Sequence, residues 1–306
     1  MDNNAKLPLL VVVGPTASGK TSASVKIAKN LEKRGIVSEI ICADSRTVYR
    51  GMDIGTAKIT PEEMENIPHF GINIVNPDQR FTVANFQKYA KEKISEILSR
   101  DHMPIMVGGS GLYVDSVIFN YDFTKNDSRE QESVREKLNK KSIGELQNFI
   151  IEHKIYMPDN KENKRYLIRS IEKNEVKNTT SDRNKIRENT IIVGITTDKS
   201  ELRKRIISRA EKMLSNEDFE LETKSLFAKY PDDSEPMKSN IYRFAKKFFE
   251  GEVDFDAAVN EASIADWHLA KKQLTWFRRN KNIEWRELNE VVDFSEEQVL
   301  RMTRKK

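Results

Sequence analysis

Cysteine is nearly absent from this 306-residue chain, with Cys42 the single example. One thiol excludes an internal disulfide and suits a reducing compartment, so a cytoplasmic location is expected. Histidine is scarce too. His69, His102, His153 and His268 are scattered without metal-ligand spacing, which argues against a zinc site. Long apolar runs are missing: no stretch approaches the ~20 residues that cross a bilayer. The longest near the start, Leu7 to Val13 with Pro8 inside it, follows a polar Met1-Asp2-Asn3-Asn4 and leads straight into a glycine motif. It reads as a buried first strand and not as a signal peptide, and no membrane partner is expected. Internal repeats and low-complexity tracts are absent as well.

What remains is a charge-rich globular composition, 38% hydrophobic and 33% charged, with a formal net charge of +4 and a pI near 8.8. Mild basicity permits nucleic-acid binding without arguing for it, because local clustering matters more than the sum. The first third alternates the two periodicities. Leu9–Val13 and Val37–Cys42 are β-rich apolar runs, Lys20–Arg34 and Val83–Arg100 are helical, and Pro104–Val107 is apolar again. Strands alternating with helices of this length predict βαβ units, hence an α/β fold with a parallel sheet covered by helices on both faces.

Composition shifts after Phe123. Residues 126–187 are crowded with Lys, Arg, Glu and Asn, yet Leu138, Ile143, Leu146, Phe149 and Ile150 can form a helical seam. A small helical insertion is expected over 123–188, splitting a core of 1–122 and 189–306. The stretch Lys173–Asn189 is polar enough to be a mobile loop. Ile191–Ile195 looks like a further central strand. Helices are expected over Lys199–Leu214 (with Leu202, Ile206, Ala210 and Met213 on one face), Glu217–Lys229, Ser239–Glu250, Phe255–Asn280 and Ser295–Arg304. Cys42, ending an apolar strand, is expected to be a small core residue. Trp267 and Trp276 read as packing anchors.

Gly14-Pro15-Thr16-Ala17-Ser18-Gly19-Lys20-Thr21 fits the P-loop pattern, after a strand and opening a helix. Its glycines let backbone N–H groups converge on phosphate oxygens, and the helix N-terminus adds positive potential. Lys20 supplies a cation, and the Thr21 hydroxyl is placed for Mg²⁺ or a phosphate oxygen. P-loop ATPases usually carry a second apolar strand ending in an Asp that helps hold magnesium. Here that strand runs into Gly108-Gly109-Ser110-Gly111 instead. The strand ending at Ala43 does deliver an acid, Asp44, which should lie beside the P-loop because ligands bind at the carboxyl ends of parallel strands.

Four ordered strings then carry a resemblance: GPTASGKT (14–21), ADSRTVYRGMDIGTAK (43–58), VGGSGLYV (107–114) and KKQLTWFRRN (271–280). Together they resemble the tRNA dimethylallyltransferase (tRNA isopentenyltransferase) family, from about residue 8 to 285. The resemblance implies a P-loop NTPase-like transferase that moves a dimethylallyl group from dimethylallyl diphosphate to the exocyclic N6 amine of the adenosine 3′-adjacent to the tRNA anticodon. In that reading residues 14–21 bind the diphosphate, with Mg²⁺ at Thr21. Asp44 is the general base, and Arg205 and Arg209 belong to a helix closing over the diphosphate. The tRNA contacts fall on Asp44, Ser45, Arg46, Thr47, Ser110, Lys271, Lys272 and Gln273, with Arg165 and Arg169 in an insertion that grips the anticodon stem-loop. Tyr49, Arg50 and Arg46 are candidates for stacking on loop bases.

A monomer is expected. Prenylation of free adenine nucleotides and a P-loop small-molecule kinase are the alternatives. The chain departs from the family pattern where Thr47 replaces a glutamine, where Asn240-Ile241-Tyr242-Arg243 lacks a glycine, and where Leu269-Ala270-Lys271-Lys272-Gln273 replaces Tyr-Ala-Lys-Arg-Gln.

Overall fold

The fold is that of a computed structural model, which describes residues 7–123, 129–175, 185–232 and 234–304. The chain divides into two compact units, one formed by Met1–Ile118 with Arg187–Lys306 and the other by Phe119–Ile186.

The larger unit begins with β1 (Leu9–Val13), every residue of it buried, followed by α1 (Lys20–Glu32) and β2 (Ser38–Cys42). A short α2 (Pro61–Met64) and a two-residue β3 (His69–Phe70) precede α3 (Val83–Ser99). Capping boxes at Thr60/Glu63 and Thr82/Asn85 set the starts of α2 and α3 by satisfying backbone N–H groups that a helix start leaves open. β4 (Met103–Gly108) and α4 (Gly111–Ile118) complete this part.

In the smaller unit, α5 (Arg129–Lys140), α6 (Ile143–Glu152) and α7 (Lys164–Glu175) enclose a small core of Leu138, Leu146, Ile150, Leu167, Ile168 and Ile171, with Ile143 and Phe149 packed against it. The expected seam is therefore real. The expected mobile loop over Lys173–Asn189 needs correction at both ends. Helix α7 continues to Glu175, and the Arg187 N–H is bonded to the Ile118 carbonyl at 2.7 Å; residues 176–184 lie outside those described.

The chain then returns through β5 (Thr190–Thr196) and α8 (Lys199–Leu214), α9 (Glu217–Lys229), α10 (Asn240–Phe249) and α11 (Phe255–Phe277). It ends with β6 (Glu284–Glu287) and α12 (Val291–Arg304), the last starting four residues before the expected Ser295.

The six strands form one parallel sheet in the order β3-β2-β4-β1-β5-β6. β1 sits inside it, with Val13 in register with Gly108 of β4 and Gly194 of β5. The carboxyl ends of β1, β2, β4 and β5 thus share one edge, and that edge carries the site. Cys42 is a buried member of the core between the sheet and α1, as expected of it.

A second core joins α8–α11 to the segment after β2: Val48, Tyr49 and Met52 pack with Phe219, Ile241, Tyr242 and Ala258. Two polar clamps fix the same segment. The Glu222 carboxylate accepts from the Asp53, Ile54 and Gly55 N–H groups at 2.9, 2.9 and 3.0 Å and from the Tyr242 hydroxyl at 2.5 Å. Buried Lys58 donates to the Tyr49 carbonyl at 2.7 Å, Asp53 Oδ1 at 2.5 Å and Asn73 Oδ1 at 2.7 Å. Gly55 has no room for a side chain, since a methyl group there would approach Tyr242 Cζ to 2.5 Å and Phe219 Cε2 to 2.7 Å. Gly55→Ala is expected to cost about 1–3 kcal/mol of stability, the usual range for overpacking, as read from urea denaturation.

Candidate functional site

The segment from Gly14 to Thr21 forms the phosphate-type cradle its sequence predicts. Ala17 (φ 59°) and Gly19 (φ 86°) take left-handed conformations on the way into α1, which turns successive N–H groups toward one concavity. The first amides of α1 have no partner one turn back, as at any helix start. Thr21 is exposed on the first turn. Lys20 Nζ donates to the Pro15 carbonyl at 3.1 Å, folding its charge over the loop.

Three other strand ends converge here. Gly108 lets β4 pass close to the end of β2, because a methyl group at that position would lie 2.0 Å from the Ala43 carbonyl oxygen. Ser110 N–H then reaches that carbonyl at 3.2 Å, and Ser110 Oγ accepts from the Ser45 N–H at 2.9 Å. Asp44 is half-buried in this turn. One of its carboxylate oxygens accepts from the Arg46 N–H at 2.8 Å, which orients the carboxyl group. Its place beside the P-loop is as expected, since its charge acts on Lys20.

From the other side α8 supplies Arg209, whose Nη1 donates to Thr16 Oγ1 at 2.7 Å. Arg205, one turn earlier, pairs instead with Glu201 at 2.9 Å, so of the two arginines only Arg209 touches the P-loop in this state. α8 packs on α11 through Leu202, Ile206 and Ala270, with Ala17 and Trp267 against them.

Electrostatically the site is cation-rich and partly buried. Lys20 has its pKa lowered to about 8, first by burial, with Arg209 pushing the same way and Asp44 and Cys42 opposing. Burial, with the Asp44 charge, pushes the Cys42 thiol up to about 12, so it stays protonated and inert. Two polar atoms of the cluster, Ser18 Oγ and Arg209 Nε, are buried without a hydrogen-bond partner. Orphaned buried donors are rare in folded proteins, and a bound oxyanion is one group that would satisfy them.

Of the expected acceptor-side residues, Arg46 reaches the Glu235 carbonyl at 2.7 Å and Thr47 turns its hydroxyl back to the Asp44 carbonyl at 3.5 Å. Arg50 is exposed, while Tyr49 is not a stacking platform: it is 6% exposed and part of the core around α8–α11. Lys271 and Lys272 are exposed on α11, with Lys271 over the Trp267 ring. Gln273 turns inward, accepting from the Thr16 N–H at 2.8 Å. Trp276 is the anchor expected of it: its Nε1 donates to Asp115 at 2.8 Å, and its ring lies where any side chain at Gly111 would have to be.

Arg165 and Arg169, in the smaller unit, are exposed one turn apart on α7, next to exposed Tyr166. The sequence singles out neither Glu222, which lies outside the four strings, nor Lys58, which ends the 43–58 string without any signal of a buried ammonium. Among the described residues no group of three His, Cys, Asp or Glu could hold a metal, and no helix is long and apolar enough to cross a membrane.

Comparison with known proteins places this geometry. The sequence profile described as "IPP transferase" matches residues 47–280. The Bacillus subtilis (strain 168) protein named tRNA dimethylallyltransferase is 34% identical over 301 residues, covering 95% of this chain and 94% of its own. A Staphylococcus epidermidis protein of the same name is 35% identical, covering 90% and 86%. The crystal structure of a full-length tRNA isopentenylpyrophosphate transferase from Bacillus halodurans superposes with a TM-score of 0.71 at 33% identity over 98% of each chain. A eukaryotic dimethylallyltransferase, 20% identical with a TM-score of 0.73, shares the fold.

Because burial lowers the Lys20 pKa to about 8, its charge is lost progressively as pH rises through that value, and anion affinity should fall with it. Affinity for inorganic diphosphate is expected to drop toward ~tenfold per pH unit above this point, the limit set by one linked proton. Lys20→Met should bind more weakly and lose this part of the slope, as followed by calorimetric titration between pH 7 and 10.

Proposed function

The chain belongs to the IPP transferase family, and we propose that it transfers a dimethylallyl group from dimethylallyl diphosphate to the N6 amine of the adenosine 3′-adjacent to the anticodon of tRNA. The observation that carries this reading is the junction of a P-loop with Arg209 on one side and Asp44 on the other, the latter close enough to raise the pKa of Lys20.

The chemistry follows from that arrangement. The adenine N6 attacks the allylic carbon, the carbon–oxygen bond to diphosphate breaks, and one N6 proton leaves to Asp44. Negative charge grows on the departing diphosphate. Fixed N–H groups at the start of α1, together with Lys20 and Arg209, face that charge in a partly buried site, where such interactions are stronger than in bulk water. The attacking amine, by contrast, needs a base, and Asp44 is an acid at a strand end close enough to act electrostatically on Lys20.

The donor set fits Mg²⁺ held chiefly by diphosphate and water: this cation keeps several waters and asks for few protein oxygens, and Thr21 offers an exposed hydroxyl. When bound, Mg²⁺ would neutralise charge on the diphosphate. Ser45, Arg46, Thr47 and Ser110 line the acceptor side, and Lys271, Lys272, Arg165 and Arg169 supply cations for the anticodon arm. The three bacterial relatives are named for tRNA, which favours that acceptor over a free nucleotide. Prenyl transfer consumes no ATP, unlike the kinase alternative. A cytoplasmic monomer is the working expectation.

Turnover of dimethylallyl diphosphate with unmodified tRNA, in the absence of ATP, tests the reading directly. Asp44→Asn should lower kcat by ~10²–10⁴ while both substrates still bind, the usual loss when a general base is removed. Turnover within threefold of wild type would remove Asp44 from the mechanism.

A second experiment addresses the smaller unit. Each phosphate contact contributes a slope of ~0.7–0.9 in log affinity against log salt. Arg165→Ala with Arg169→Ala should therefore make the tRNA-binding slope shallower by about one to two contacts. Parallel slopes with equal affinities would make these helices a solvated lobe and favour the free nucleotide as acceptor.

A further inference from the structure

We infer that Gln273 is a positioning residue of the diphosphate site and not a contact to tRNA, an inference that rests on the reading of the P-loop as the diphosphate cradle. Gln273 lies one residue beyond two exposed lysines, but its side chain points the other way. Its Oε1 accepts from the Thr16 N–H at 2.8 Å. Its Nε2 abuts the β4–α4 loop so closely that a methyl group at Gly109 would come within 2.5 Å of it and within 3.3 Å of the Gly14 carbonyl oxygen. To reach a nucleic acid the side chain would have to abandon both neighbours.

The amide ledger of the loop explains what the contact does. Pro15 has no N–H. The Ser18 N–H is used internally on the Pro15 carbonyl at 3.3 Å, and the Thr16 N–H is used on Gln273. The stretch from Pro15 to Ser18 is thereby held within the protein, which leaves the N–H groups at the start of α1 for the ligand. Thr16 is 8% exposed, so without Gln273 its N–H would be buried and orphaned, and the loop would have reason to rearrange. Thr16 is also held by Arg209 through its hydroxyl, so the two contacts define its backbone and side chain separately.

A carboxamide suits this position better than any charged group. It offers an acceptor to Thr16 and a donor edge toward Gly109 while remaining neutral. A glutamate would keep the acceptor but set a negative charge against Thr16, the residue that also receives Arg209, and so against the incoming diphosphate. The same loop contact also ties the P-loop to Gly108-Gly109-Ser110, the segment whose serine hydroxyl steadies Ser45 next to Asp44.

The test is titration of inorganic diphosphate with Mg²⁺ into the full-length protein without tRNA, beside tRNA binding and steady-state kinetics. Gln273→Met, similar in length but without an acceptor, should weaken diphosphate affinity at least about fivefold, as expected for an orphaned buried N–H. It should raise KM for dimethylallyl diphosphate, with tRNA affinity within about twofold of wild type, the two substrates being held by separate groups. Gln273→Glu should weaken diphosphate more than Gln273→Met does. Normal diphosphate affinity with impaired tRNA binding in Gln273→Met would overturn the inference and return the residue to the tRNA surface. If that variant fails to fold, Gln273→Glu decides, and wild-type diphosphate affinity there would equally overturn it. Failure of the wild type itself to bind diphosphate is a separate outcome: it would sink the P-loop reading, and this inference with it.

Discussion

Thr16 is gripped from both sides, and the site depends on that grip. Its N–H goes to Gln273 of α11 and its hydroxyl receives Arg209 of α8, residues separated from it by 257 and 193 positions in sequence. A glycine-rich loop has high conformational entropy and holds one shape only when something outside it does the holding. Here the holding is done by the return of the chain. The apolar packing of α8 on α11 through Leu202, Ile206 and Ala270, with Ala17 of the loop against it, brings both polar contacts into place. The larger unit is therefore discontinuous in sequence for a reason visible in its chemistry: the first half supplies the cradle and the second half its supports.

The same grip explains why the cations can be left so poorly compensated. Lys20 is pushed down to about 8 mainly by burial, and Arg209 keeps a buried Nε without a partner. In a stable fold such groups represent unspent interaction, tolerable because the surrounding packing is extensive. A site with surplus positive charge, few carboxylates and fixed amides is suited to a group that gains negative charge as it departs, and poorly suited to a neutral ligand. Asp44 keeps its own carboxylate engaged with the Arg46 N–H, so it can stand near these cations in a fixed orientation.

Much of this was legible in the sequence, and the parts that were not share a cause. The apolar face of α8 follows Leu202, Ile206, Ala210 and Met213 as its spacing predicts, because a helix facing a core must repeat at that period. The fully buried strands read as plain apolar runs. β6 did not, since Glu284–Glu287 is a half-exposed edge strand with charged residues at both ends and no period-two signal. β3 is two residues long and has no pattern to find. Among candidate site residues, those whose local conformation is set by nearest neighbours in sequence (the P-loop, and Asp44 in its turn) lie where their sequence puts them. The burial of Tyr49 and the inward turn of Gln273 onto the Thr16 N–H were not legible in this way. Their directions are decided by what packs on them from distant segments, and a motif string does not say which way a side chain points.

The departures from the family pattern gain meaning once placed. Ile241, standing where the family has a glycine, is 7% exposed and lies in the core that receives Val48, Tyr49 and Met52. The neighbouring Tyr242, which the family motif shares, still gives its hydroxyl to Glu222, and Glu222 still gathers the Asp53, Ile54 and Gly55 amides. The altered position therefore adds apolar packing behind the Asp44 segment and leaves its polar clamp intact. Thr47 is different. It stands in the turn itself, and its short side chain bends back to the Asp44 carbonyl where a glutamine would extend outward. The first change bears on how firmly the Asp44 segment is held and the second on what the turn can touch, so only the second alters the surface that the turn presents.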